Sequence, residues 1–271
     1  MASYYKPGDE LKVKVSSAYI RQFADRLDAV NAAANKAIFG SLSKAALIEK
    51  LEFYNELSFD VVATIMETHC RGYTKLASAL TCEFYNGIRD AANLKTPFNA
   101  TLWEGYDGQR VRGAAYAIME EVVQGKNTVP LEELLQNLSN REIKNAADAT
   151  VRQNIKRDPS GPKYAIVPNG DACAFCQMRA SLGYTYGDED AVESHNHCTC
   201  MATPVFGNQE IEGYNPDEYR ERYDEARDAL ASGDISDELK ERIEAQKEEK
   251  GRDFDKTNAI LMVMREQQGI S

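Results

Sequence analysis

Four of the six cysteines and two of the three histidines in this 271-residue chain fall in one stretch, DACAFCQMRASLGYTYGDEDAVESHNHCTCM. Thiolate and imidazole are the donors that a tetrahedral zinc ion prefers, commonly two from each of two knuckles. Cys173 and Cys176 form C-x-x-C, a spacing whose backbone turn can aim two thiolates at one ion. After 18 intervening residues (177–194), His195, His197, Cys198 and Cys200 form H-x-H-C-x-C. The first knuckle is complete and the second holds more donors than it needs. Side chains two apart in extended chain share a face, which groups Cys198 with Cys200 and His195 with His197. A bend would bring His195 to one of the cysteines. The ordered candidates are Cys173 and Cys176, then Cys198 and His195, then Cys200. His197 is a supporting group that holds a ligand sulfur or solvent.

Other chemistries fit the spacing less well. A thioredoxin-type redox pair needs its C-x-x-C within a βαβ unit, and these surroundings read as helical. Haem attachment needs histidine directly after the second cysteine, where Gln177 stands. A zinc deaminase carries H-x-E ahead of its cysteines, and no H-x-E occurs here. A zinc-supported nuclease or toxin-like effector would have only His197 as a spare catalytic histidine. Its segment carries Arg179 against Asp171, Asp188, Glu189, Asp190 and Glu193, a poor groove for polyanions. The expectation is a structural Zn2+ and no enzyme. A short two-stranded unit buries too little apolar surface to offset its ordering entropy, whereas zinc binding in small peptides contributes about 10–16 kcal/mol.

The elements that must position this stretch are mostly helical. Residues 1–13 read as a flexible, Tyr-bearing arm. Ile20, Phe23, Leu27, Val30, Ala34 and Ile38 recur at steps of three and four, predicting a helix closed by Gly40. Ser43 then caps a helix through Leu47 and Leu51. A longer helix starts near Ser58 and runs past Ile88, with His69 on its apolar stripe as a hydrogen-bonded core histidine. Cys70 and Cys82 stand on that helix roughly 18 Å apart, too far for a disulfide, and read as small buried hydrophobes. Another helix covers Val111 to Val123. TVPLEELLQNL predicts a short helix, and Ser139 with Glu142 a capping box that opens the next one. Lys144, Arg152 and Lys156 on that helix read as a solvated face.

KYAIVP and TCMATPVF, on either side of the metal-ligand stretch, read as strands of a hairpin-like unit over Tyr164 to Gly207. Asn215, Pro216 and Glu218 start a further helix, Ser236 caps another, and a last amphipathic piece holds Ile260, Leu261 and Met264. The fold class is therefore mainly α, in four parts: a flexible arm (1–13), a helical domain (14–160), a zinc-binding knuckle unit (161–207) and an acidic helical tail (208–271). The tail carries 10 Lys+Arg against 18 Asp+Glu and reads as exposed helices.

A net charge of −11 argues against direct nucleic-acid binding, which relies on basic patches. No apolar run approaches the roughly 18 residues of a membrane span, so no membrane partner is expected. The first residues lack the apolar stretch of a secretory signal, and a reducing compartment is expected.

CAFC, GYTYG and HNHCTC, in that order, resemble the zinc signature of the phage Mu F-like minor capsid, or head morphogenesis, proteins of tailed bacteriophages. That signature is C-x-x-C, a glycine-bearing loop, then H-x-x-C-x-C or H-x-H-C-x-C. The resemblance is specific over about Val167 to Val205 and architectural elsewhere. Many members carry Arg between the last two cysteines, where this chain has Thr199. The resemblance implies a non-enzymatic virion protein present in few copies, located at the phage head and portal vertex, and in the host cytoplasm during assembly. Its implied partners are portal and capsid proteins. Its metal positions map onto Cys173, Cys176, His195, Cys198 and Cys200.

Overall fold

The computed structural model describes residues 13–44, 56–169, 172–184, 200–251 and 254–270. Four long helices build the N-terminal part: α1 (Ser17–Lys44), α2 (Glu56–Ala91), α3 (Gly108–Val123) and α4 (Leu131–Arg157). The three-and-four periodicity of α1 buries Ile20, Phe23, Leu27, Val30, Ala34 and Ile38 as expected. Gly40 does not end it. The helix continues to Lys44, because a single glycine weakens a helix by only about 1 kcal/mol and Leu42 beyond it is buried. The expected helix through Leu47 and Leu51 lies outside the described residues.

Two sequence expectations for α4 are corrected. Residues 131–157 form one helix that starts after Pro130, so Ser139 and Glu142 sit inside it and form no capping box. Both are buried: Ser139 lies beside the Cys70 thiol, and Glu142 accepts a 2.6 Å ion pair from Arg110 of α3. Lys144 is likewise no solvated residue. It is buried and its Nζ meets Asp148 Oδ1 at 2.6 Å. The physical reason is that α1, α2 and α3 all pack on α4, leaving it without a water-facing side through its middle. A helix enclosed all round has no single apolar stripe for a sequence pattern to display.

The strands form two pairs. β2 (Lys163–Val167) runs antiparallel to β3 (Met201–Val205), from Lys163↔Val205 to Val167↔Met201, which is the expected hairpin-like return. Unforeseen is a parallel pair of β1 (Lys14–Val15) with β4 (Glu210–Ile211), which ties the chain just before α1 to the chain just after β3. Ser17 strengthens that tie, its N–H and Oγ both donating to Glu212 Oε2. Buried Gln209 completes it by donating from Nε2 to the Ile88 carbonyl of α2 at 3.3 Å.

The apolar residues of β2 and β3 join those of α1, α2 and α4 in one cluster, with Phe206 edge-on to Tyr85 at 5.4 Å. The strands thus have apolar support from the helices in addition to any metal. A second cluster fills the other end of the bundle around Ile38, Met66, Val111 and Leu135.

The C-terminal residues form α6 (Pro216–Ser232), α7 (Asp237–Lys250) and α8 (Lys256–Gln268). Asn215 and Ser236 cap α6 and α7 as their sequences predict, and Gly233 ends α6 in the left-handed conformation at φ 76°. The reading of the whole tail as exposed helices is corrected for α8. Its run Ala259 to Met264 is buried against α6 and a short helix, α5 (Ala174–Ala180), which lies between β2 and β3 in sequence. Among the described residues, no helix is long and apolar enough to cross a membrane.

Candidate metal centre

Cys173 is the N-cap of α5, in extended backbone, and its carbonyl accepts from the Gln177 N–H at 3.0 Å to close the first helical turn. Cys176 stands three residues on, so both thiols belong to that turn. Cys176 is 2% exposed and Cys173 is half-buried against the same apolar cluster. Cys200 is also 2% exposed, belongs to that cluster, and stands directly before β3, beside the last β2–β3 pair, Val167↔Met201. The first turn of α5 and the residue directly before β3 therefore carry three of the five expected ligands.

His195 and Cys198, with the supporting candidate His197, lie outside the described residues. Among the described residues no three His, Cys, Asp or Glu side chains form a group that could hold a metal. Cys173, Cys176 and Cys200 have the donor chemistry of zinc ligands, but as placed they do not by themselves form such a group.

The support around α5 was invisible to spacing arguments. Gln177, 5% exposed, donates from Nε2 to the Ala172 carbonyl at 3.0 Å, while its Oε1 accepts from Arg222 of α6 at 3.1 Å. Arg220 donates to the Ser181 carbonyl at 3.0 Å, at the far end of α5. Tyr214 donates its hydroxyl to the Ala180 carbonyl at 2.6 Å, and the Ile211 N–H donates to Tyr184 Oη at 3.0 Å. Tyr214 packs edge-on to Tyr184 and stacks with Tyr219. Burial pushes the Tyr219 hydroxyl up; Arg222 pulls it down and the nearby Cys200 adds to the rise, which puts Cys200 close to α6. Tyr184 stands in GYTYG and was visible as part of the loop motif, whereas Gln177, Tyr214, Tyr219 and Arg222 lie in no motif and are found only through the packing of α6.

The remaining cysteines and the third histidine behave as their settings dictate. Cys70 is fully buried and its thiol is pushed up to about 12 by burial, with Glu142 adding to the shift. Cys82 is pushed up to about 11 by burial and Glu83. Both are inert thiols on α2, in keeping with their reading as small hydrophobes. His69 Nε2 lies 2.9 Å from Ser41 Oγ on α1, and burial pulls its imidazole below the ordinary value. It is the hydrogen-bonded histidine that its place on the stripe suggested.

No curated protein and no solved structure matched the chain. The VG15 protein family matches residues 17–226, which run from the start of α1 through the Cys- and His-rich stretch into α6. Because the match takes in most of the chain, including all four bundle helices and the candidate metal centre, the chain belongs to the VG15 family, a family of viral, phage type.

Proposed function

We propose that this protein is a structural minor capsid, or head morphogenesis, protein of a tailed phage, associated with the portal and procapsid and pinned by a structural zinc ion. The reading is supported by the C-x-x-C…H-x-H-C-x-C pattern itself, whose Cys173 and Cys176 stand on the first turn of α5 and whose Cys200 stands directly before β3. Cys176 and Cys200, one from each end of that pattern, are both buried in the apolar cluster that β2 and β3 share with the helices. Membership of a viral family agrees with the resemblance to the Mu F-like proteins.

Cys173 and Cys176 would hold the ion with two donors from His195, Cys198 and Cys200. Zinc would supply a rigid cross-link between the two ends of the stretch. The chain's own residues do the rest: α5 presents two thiols from one turn, and β2–β3 pairing fixes the backbone that leads out of Cys200. The bundle and the acidic C-terminal helices then serve as docking surfaces for portal and capsid proteins. The role is structural rather than catalytic, and the protein acts in the virion and, during assembly, in the host cytoplasm. The net charge of −11 favours protein partners over DNA.

Mass spectrometry of purified particles and procapsids, with zinc analysis of the recombinant protein, tests the reading. Co-purification and stoichiometric zinc are expected. Absence from both kinds of particle would overturn the structural role, and metal-free protein would overturn the zinc site.

A further inference from the structure

We infer that Gln177 and Arg222 are a positioning pair that locks the C-x-x-C turn and thereby sets how firmly the metal is held. This rests on the structural-zinc reading above, but it is carried by a separate set of contacts. Gln177 follows Cys176 directly and grips the chain on both sides of the first cysteine. Its main-chain N–H donates to the Cys173 carbonyl at 3.0 Å, and its side-chain Nε2 donates to the Ala172 carbonyl at 3.0 Å. Its Oε1 is engaged at the same time by Arg222 Nη1 at 3.1 Å.

A primary amide is suited to this position because it donates to a carbonyl and accepts from a cation at once. Glutamate would have no donor for Ala172, and an apolar residue would strand both partners in a site that is 5% exposed. Arg222 is itself fixed, its guanidinium standing 5.5 Å from the Tyr219 ring centroid. Arg220, on the same helix, holds the Ser181 carbonyl at the C-terminal end of α5. Helix α6 thus holds α5 at its middle and at its C-terminal end. Groups that orient the ligands of a metal typically change its affinity by about 10- to 100-fold when lost.

The test uses the full chain loaded with zinc and the chromogenic chelator 4-(2-pyridylazo)resorcinol to follow metal release. Gln177→Leu and Arg222→Met are expected to speed release by about 10- to 100-fold, and Arg222→Lys, which keeps a donor, to restore most of the lost retention. Circular dichroism checks that each variant keeps its helices. A second readout, the rate at which Cys176 reacts with a thiol reagent in metal-free protein, should rise in Gln177→Leu and Arg222→Met. Zinc-loaded variants that release metal at the parent rate would overturn the pair and leave the metal reading intact. If the parent protein binds no zinc, the metal reading fails. The thiol arm then decides whether the pair holds the turn, and unchanged Cys176 reactivity would overturn it.

Discussion

Arg89 Nε of α2 donates to Asp158 Oδ2 at 2.8 Å, joining the end of the longest helix to the residue that caps α4. Both side chains are almost fully enclosed, at 6% and 0% exposure. Tyr85 adds a hydroxyl to the same oxygen at 3.2 Å, Ser160 donates twice to the other, and the guanidinium also reaches the Thr96 carbonyl. The pair stands where RDPSGPK turns the chain out of the bundle and into β2. Arg89→Ala leaves a buried carboxylate without its cation, and the expected loss is about 3–5 kcal/mol in urea unfolding. A loss below about 1 kcal/mol, the range of surface pairs, would show that the clasp contributes little.

The same contact predicts a pH dependence. Burial pushes the Asp158 carboxyl up, but the Arg89 and Ser160 hydrogen bonds outweigh it and hold it below its ordinary value of 3.8. A carboxyl depressed in the folded state contributes stability that is present in full above its unfolded value and is lost as pH falls through the folded one. Stability should therefore decline below about pH 4, and Asp158→Asn should flatten that part of the curve. Unfolding curves of the two proteins between pH 2 and pH 6 would check it; parallel curves would speak against the assignment.

Metal and thiol chemistry should separate the cysteines by place. Cys173→Ser is expected to lose zinc, while Cys70→Ser keeps it, as read by metal analysis after gel filtration. In the native protein Cys70 and Cys82 should resist thiol reagents at pH 8, because their thiols lie up at about 12 and about 11. Rapid labelling of Cys70 without unfolding would contradict its burial.

Continuity of α4 has its own consequence. A true N-cap serine contributes typically ~1 kcal/mol, lost on change to alanine. Ser139 lies inside the helix, so Ser139→Ala should change stability by less than about 0.5 kcal/mol or raise it slightly, since alanine is the better helix former. Thermal unfolding that shows a full cap's loss would restore the two-helix reading.

Met264 is fully buried in the cluster that joins α8 to α5 and α6. Met264→Ala should cost about 2–5 kcal/mol in that cluster. Limited proteolysis should show earlier cleavage between α7 and α8 in the variant than in the parent. An unchanged digestion pattern would mean that α8 is held from elsewhere.

The sequence by itself determined the helical class, most helix starts, the antiparallel strands on either side of the ligand stretch, the burial of Cys70 and Cys82 and the hydrogen-bonded His69. Each of these follows from short-range physics: a periodicity of 3.6 or 2, a capping side chain, a proline or glycine at a boundary. It also offered Cys173, Cys176, His195, Cys198 and Cys200 as candidate ligands, because donor spacing is legible without a fold. Tertiary structure alone decided the continuity of α4, the burial of Lys144, the parallel β1–β4 tie and the enclosure of α8. It alone brought Gln177 to Arg222 across 45 residues. The reason is the same in each case. Whether a polar side chain faces water or a partner depends on which helices arrive against it from distant parts of the chain, and no local pattern of residues encodes that arrival.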